Sequence, residues 1–146
     1  MRKLFFLPAI LLLCWGCFDQ GECLNQTSNR VSVRFYNKSD NKERNLQLDS
    51  VGVAGLPEVG YKASALSAIS FPLDPTAAEA VVTLYTPNGN TILQFQYGTQ
   101  ATLLDPACAA ATLFTLKSAS VTGADSVRIV QPILTNISTT HVKVFF

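Results

Sequence analysis

The sequence predicts an all-β chain: an immunoglobulin-like or related antiparallel β-sandwich of about seven to nine short strands. Three observations carry this. Apolar and polar residues alternate over short runs, the period of a half-buried strand. Gly, Pro, Asn and Asp cluster between those runs, where turns need them. No stretch after the first few residues shows convincing helical spacing.

Arg30 to Tyr36 alternates cleanly, with Val31, Val33 and Phe35 on one face and Arg30 and Arg34 on a solvated face. Asn37 to Lys42 is a polar turn. Leu46-Gln47-Leu48 begins a second extended piece that leads to Val51 and Val53. Gly52, Gly55, Pro57 and Gly60 then break the pattern, so residues 54–65 are expected to form a loop. Leu66 to Leu73 reads as a third strand, and Pro72 puts its end at an edge. Ala80 to Thr86 and Thr91 to Tyr97 flank Pro87-Asn88-Gly89-Asn90. Asn-Gly between β-rich runs is a strong hairpin signal, because both residues tolerate positive φ. Thr99 to Leu104 reads as a further short strand, and Asp105 to Ala111 as a helical turn or the approach to a strand. Thr112 to Val121, Ser126 to Val130 and Thr139 to Phe146 complete the set, with Val142 and Val144 inward and His141 and Lys143 on the opposite, solvated or edge face. An eight-stranded outer-membrane barrel fits less well, because spanning strands need about 9–11 residues.

Ahead of the strands stands a different signal. Met1-Arg2-Lys3 precedes an apolar run from Leu4 to Leu13, the layout of a secretory leader. The run is shorter than the roughly 20 residues a spanning helix needs. Gly16 then precedes Cys17, a small residue directly before a cysteine, as in the lipobox of bacterial lipoproteins. The organisation expected is a signal peptide at 1–16, a lipidated Cys17 with a short acidic tether through residue 22, and one β-sandwich domain over 23–146. Acylation of Cys17, with palmitate among the chains, would hold the domain at a membrane, since stable anchoring takes two or more chains. A membrane address follows, with either face open.

The mature part is close to neutral, and its basic residues are spread along the chain, from Arg30 and Arg34 to Arg128 and Lys143. That is not the footprint of a nucleic-acid binder. With Cys14 removed and Cys17 acylated, Cys23 and Cys108 remain. An oxidising compartment favours a disulfide between them; two reduced, separately buried cysteines are the alternative. Two cysteines and one histidine without close spacing do not make a zinc site, and no cofactor is expected.

The order of several short segments resembles a family of uncharacterised Bacteroidota lipoproteins, a domain of unknown function. The segments are the acidic leader after Cys17, Glu22-Cys23, the Val31–Tyr36 strand, Ser70 to Pro75, Asp105-Pro106-Ala107-Cys108, Asp125-Ser126-Val127, and the closing His141 to Phe146. The resemblance covers nearly all of Cys23 to Phe146. It implies a Gram-negative outer-membrane lipoprotein with two cysteines at Cys23 and Cys108, and it implies no activity and no functional residues.

Chemistry is sparse. His141 is the sole histidine, and a sheet histidine with ordinary partners is the expectation for it. No Gly-x-Ser-x-Gly elbow occurs. Asp49, Asp74, Asp105 and Asp125 fall where turns are expected, which Asp favours for backbone reasons. No catalytic residue is assigned. The function expected is a non-enzymatic envelope lipoprotein, an accessory subunit or protein-binding module at the outer membrane. Its partners would be membrane lipid through Cys17 and an envelope protein. A carbohydrate- or small-ligand-binding module is the alternative, with Tyr36, Tyr61, Tyr85 or Tyr97 as its aromatic platform, and a secreted hydrolase stands behind both. The loop 52–60, the Asn88-Gly89 tip and a sheet edge are the candidate binding surfaces.

Overall fold

Alternating burial along each strand divides the chain into two sheets that share one core. The computed structural model describes residues 27–57, 59–102, 110–135 and 140–146, with backbone alone for 59–63. Nine strands occur: β1 (Arg30–Tyr36), β2 (Leu46–Val53), β3 (Val59–Leu66), β4 (Ala68–Pro72), β5 (Glu79–Thr86), β6 (Gly89–Thr102), β7 (Ala111–Thr122), β8 (Ser126–Ile129) and β9 (Val142–Phe145). The smaller sheet has the order β4-β1-β9-β8 and the larger β3-β2-β5-β6-β7. The expected all-β sandwich is therefore the fold. One pairing departs from the antiparallel rule: β1 and β9 run parallel. A parallel pair needs a long crossover, and these two strands are separated by the rest of the domain.

Each sheet turns its alternate residues inward. Val31, Val33 and Phe35 of β1 meet Ile69 and Phe71 of β4 and Val142 and Val144 of β9. The larger sheet answers with Leu48, Val82, Leu84, Leu93, Phe95, Tyr97, Phe114 and Leu116. Phe71 and Phe95 join the layers, with ring centroids 5.8 Å apart. Tyr97 buries its ring as well and donates its hydroxyl to the Asp74 carbonyl at 2.9 Å, which fixes the crossover from β4 to β5. Burial holds its phenol above the ordinary value. At that crossover the Thr76 hydroxyl and N–H both bond one Asp74 oxygen, and they hold this carboxyl below its ordinary value.

The edges are treated differently on the two sides. Strand β3 passes directly into β4 through Ser67, so one chain segment supplies an edge strand to each sheet. On the other side the segment after β8 runs along β7. Leu116 N–H donates to Pro132 and Leu134 N–H to Phe114, which covers that edge. Leu134 is fully buried there, a core residue the sequence pattern does not mark.

Four local expectations are corrected. Residues 59–65 belong to β3 and not to a loop, because antiparallel pairing with β2 outweighs the glycines. The connection shrinks to a turn at 54–57, where Gly55 takes φ +83°. At the β5–β6 hairpin the corner is Pro87-Asn88, one residue early; proline's fixed φ starts the turn, and Gly89 alone takes positive φ, at +128°. The strand expected at 99–104 is the continuation of β6 as far as Thr102. Asp49 lies within β2 and not in a turn.

The disulfide is also corrected. No disulfide is found among the described residues, and Cys23 and Cys108 both lie outside them, as do Cys17, the expected signal and tether, and Asp105. The two layers share one apolar core. Among the described residues, no helix is long and apolar enough to cross a membrane.

Candidate functional site

Inward residues of the smaller sheet are apolar, so its outward positions carry the charge. Its twenty strand residues include Arg30, Arg34, Arg128 and Lys143 and no acidic residue. Register brings three of these together. Arg34 of β1 stands opposite Lys143 of β9, and Lys143 stands opposite Arg128 of β8. Adjacent strands lie about 4.8 Å apart, so the three Cα atoms cross the sheet in a row roughly 10 Å long. Directly opposed like charges destabilise a sheet. The next row is aromatic: Tyr36 and Phe145 pair with centroids 5.7 Å apart.

Compensation within the row is incomplete. Arg34 Nη1 meets Glu43 Oε1 at 2.5 Å, and among the described residues this is the one carboxylate at ion-pair distance from the row. Arg34 Nε is buried and has no hydrogen-bond partner among the described residues. Lys143 Nζ lies 4.5 Å from the Tyr36 ring centroid, a cation–π contact that leaves its charge in place. Among the described residues no carboxylate lies within ion-pair distance of Arg30, Arg128 or Lys143. Arg30 reaches over the edge strand instead, donating to the Ser70 carbonyl at 2.9 Å and the Ser70 hydroxyl at 3.2 Å.

His141 stands beside this row, immediately before β9. The strand pattern places it on a solvated or edge face, but it is only 2% exposed. Its N–H donates to the Ser32 carbonyl at 2.9 Å, and its Nδ1 accepts the Ser32 N–H at 3.0 Å. The imidazole thus takes the place of a backbone carbonyl at the start of the β1–β9 ladder. An accepting Nδ1 requires the neutral ring with its proton on Nε2. Nε2 is buried without a hydrogen-bond partner, and burial pushes the imidazole below its usual pKa.

Among the described residues, clefts lie elsewhere. A polar one of about 480 Å³ opens at one end of the sandwich, between Arg44, Gln47, Asn88, Asn90 and Phe146. The Arg44 guanidinium sits 5.3 Å from the Phe146 ring centroid there. A smaller one, about 200 Å³, crosses the larger sheet beside Glu79, Gln94 and Ser118. An apolar one of about 220 Å³ lies where β2 and β4 diverge, lined by Val51, Val53, Leu56, Ile69 and Phe71. No group of three His, Cys, Asp or Glu side chains gathers among the described residues.

The expected recognition features separate. The Asn88-Gly89 tip lines the polar end cleft, and Leu56 and Pro57 of the 52–60 segment line the apolar one. Of the tyrosines, Tyr97 is buried in the core, Tyr36 is 9% exposed and belongs to the cationic face, and Tyr85 is half-buried. Tyr36, Tyr85 and Tyr97 form no common platform, and the Tyr61 side chain lies outside what the structure describes. The cationic row itself is missed by sequence reasoning, because its members are separated by up to 109 positions and meet only through strand register. No family model, curated protein or solved structure matches the chain.

Proposed function

We propose that the chain is a non-enzymatic binding module of a bacterial cell envelope, tethered through an acylated Cys17, and that its working surface is the outer face of the smaller sheet. One observation carries the reading: three directly neighbouring strands place Arg34, Lys143 and Arg128 in register with, among the described residues, a single carboxylate at ion-pair distance. A row of like charges costs the folded domain energy. A partner bearing negative charge offsets that cost, so the face is built for an anionic surface. The leader before Cys17 and the resemblance to envelope lipoproteins supply the address.

Photocrosslinking in intact cells tests the face. A photoreactive residue at Ser126 reports on the smaller sheet and one at Gln94 on the larger, since both positions are exposed. Adducts concentrated at Ser126 are expected; equal adduct formation at both would overturn the assignment. Palmitate labelling of the chain and of Cys17→Ala tests the tether, and label retained in the variant would refute it.

A second reading has its own observation. The polar end cleft gathers amide side chains around Arg44 and Phe146, a composition suited to a small polar ligand or a sugar. A glycan array screened with the protein and with Arg44→Ala decides it; a hit lost in the variant would move the working site to the cleft.

A further inference from the structure

We infer that the partner of the cationic face is the anionic headgroup surface of a phospholipid bilayer. The inference rests on the proposal that this face is the working surface. It follows from the face's shape, its chemistry and its position relative to the chain's start.

Shape comes first. The three cations occupy neighbouring strands of one sheet, and none of the three clefts described above, formed by described residues, is lined by Arg34, Lys143 or Arg128. An enclosed small anion would need converging walls, whereas an extended layer of phosphates needs only cations spread over a plane. The larger sheet offers no such layer. Its fifty strand residues carry two acids, Asp49 and Glu79, against two bases, Lys62 and Lys117.

The chemistry of the neighbouring row agrees. Tyr36 and Phe145 are aromatic, and Phe145 is half-buried. Aromatic rings with an adjacent lysine suit the boundary between headgroups and acyl chains. Lys143, held over Tyr36, therefore presents its ammonium beside an apolar ring.

Position completes the case. Thirteen residues carry the chain from Cys17 to Arg30 at the start of β1. Even fully extended they span about 45 Å at most. Arg34 follows four residues later on the same strand. A domain tethered this closely can lay the small sheet against the bilayer that holds its anchor, and the face then adds the electrostatic half of a two-part attachment.

The test uses the full chain with vesicles containing a photoactivatable lipid. One set is phosphatidylcholine, and the other is phosphatidylcholine mixed with phosphatidylglycerol. Adducts are mapped by mass spectrometry to β1, β8 and β9 or to β5, β6 and β7. Adducts on the smaller sheet should rise several-fold with phosphatidylglycerol and fall in high salt, as screened charges require. Binding energy per cation near an anionic surface corresponds to about fivefold in partitioning, so the triple variant Arg34→Gln, Arg128→Gln, Lys143→Gln should lose on the order of a hundredfold. Circular dichroism of the variant guards against loss of fold, and single Arg128→Gln, at an exposed position, keeps the test open if the triple does not fold. Equal labelling of both sheets, or labelling indifferent to phosphatidylglycerol, would overturn the inference. Protein adducts at Ser126 in cells, without lipid adducts in vesicles, would leave the working face standing and remove the bilayer as its partner.

Discussion

The outer faces of the two sheets solve the same problem in opposite ways. On the larger sheet exposed residues satisfy one another. Ser118 donates its hydroxyl to Gln96 at 3.2 Å and Ser120 to Gln94 at 3.4 Å, each across the β6–β7 pair. Acids and bases are balanced there. On the smaller sheet Arg34, Lys143 and Arg128 face like charges across β1, β9 and β8. Both faces rest on one core, so burial does not explain the difference. The larger sheet's outer face is neutral and bonded within itself, whereas the smaller sheet's outer face carries an excess of positive charge.

The largest expected effect removes the common support. Phe95 is 1% exposed and meets Phe71 across the layers. Phe95→Ala should cost about 3–5 kcal/mol through lost contact and a cavity. Chemical denaturation should show the two faces lost in one transition. Separate transitions for the two sheets would show that they do not share a core.

A smaller effect lies where the chain leaves the larger sheet for the smaller. Gly123, between β7 and β8, has φ +88°, and a Cβ there would come 2.5 Å from the Asn90 carbonyl oxygen. Its own carbonyl accepts the Thr91 hydroxyl. Gly123→Ala should cost about 1–3 kcal/mol in strain, read as a lowered thermal midpoint. Gly55, also left-handed but with open space around it, should be hurt less by the same change.

Acid should separate the faces more finely. His141 is the only histidine, and its pKa is lowered by burial. As pH falls below about 6.5 the unfolded chain takes up the proton first, so stability declines with falling pH. The slope is at most about 1.4 kcal/mol per pH unit and ends once the folded imidazole itself is protonated. Protonation turns Nδ1 from acceptor to donor and removes its bond to Ser32, so amide protection should drop in β1 and β9 before β5 and β6. His141→Asn should flatten the slope. A slope unchanged in that variant would assign the acid sensitivity to other groups.

These features were legible in the sequence to very different degrees. Strands with clean alternation, such as Val31–Phe35 and Val142–Val144, declared themselves, because side-chain period is a local property. Strand β3 did not, since Gly60 and Pro57 read as a loop and only β2 beside it supplies the reason to extend. His141 was placed outward by parity, yet it is buried, because its ring takes part in a ladder joining strands more than a hundred residues apart. The cationic row was illegible for the same reason. Arg34 and Lys143 are ordinary solvated residues in sequence and become neighbours only through the parallel pairing of β1 with β9.

The smallest effect is the most telling about that row. Arg128 is exposed and stands opposite Lys143, with no carboxylate of the described residues at ion-pair distance. Arg128→Glu replaces a like-charge pair with an opposite one, and cross-strand pairs of this kind differ by about 0.2–1 kcal/mol. The variant should therefore be slightly more stable than the parent, by a few tenths of a kcal/mol in denaturant titrations at low salt. The gain should shrink as salt screens the charges. A residue kept for folding would lower stability when replaced. A residue kept for a partner can raise it while weakening attachment to anionic membranes. Gln94→Glu, the matching change on the larger sheet, should leave attachment unaltered and keep its bond from Ser120, since a carboxylate oxygen accepts as the amide oxygen does. If Arg128→Glu proves less stable and binds as before, the row is structural, and the contrast between the two faces loses its functional meaning.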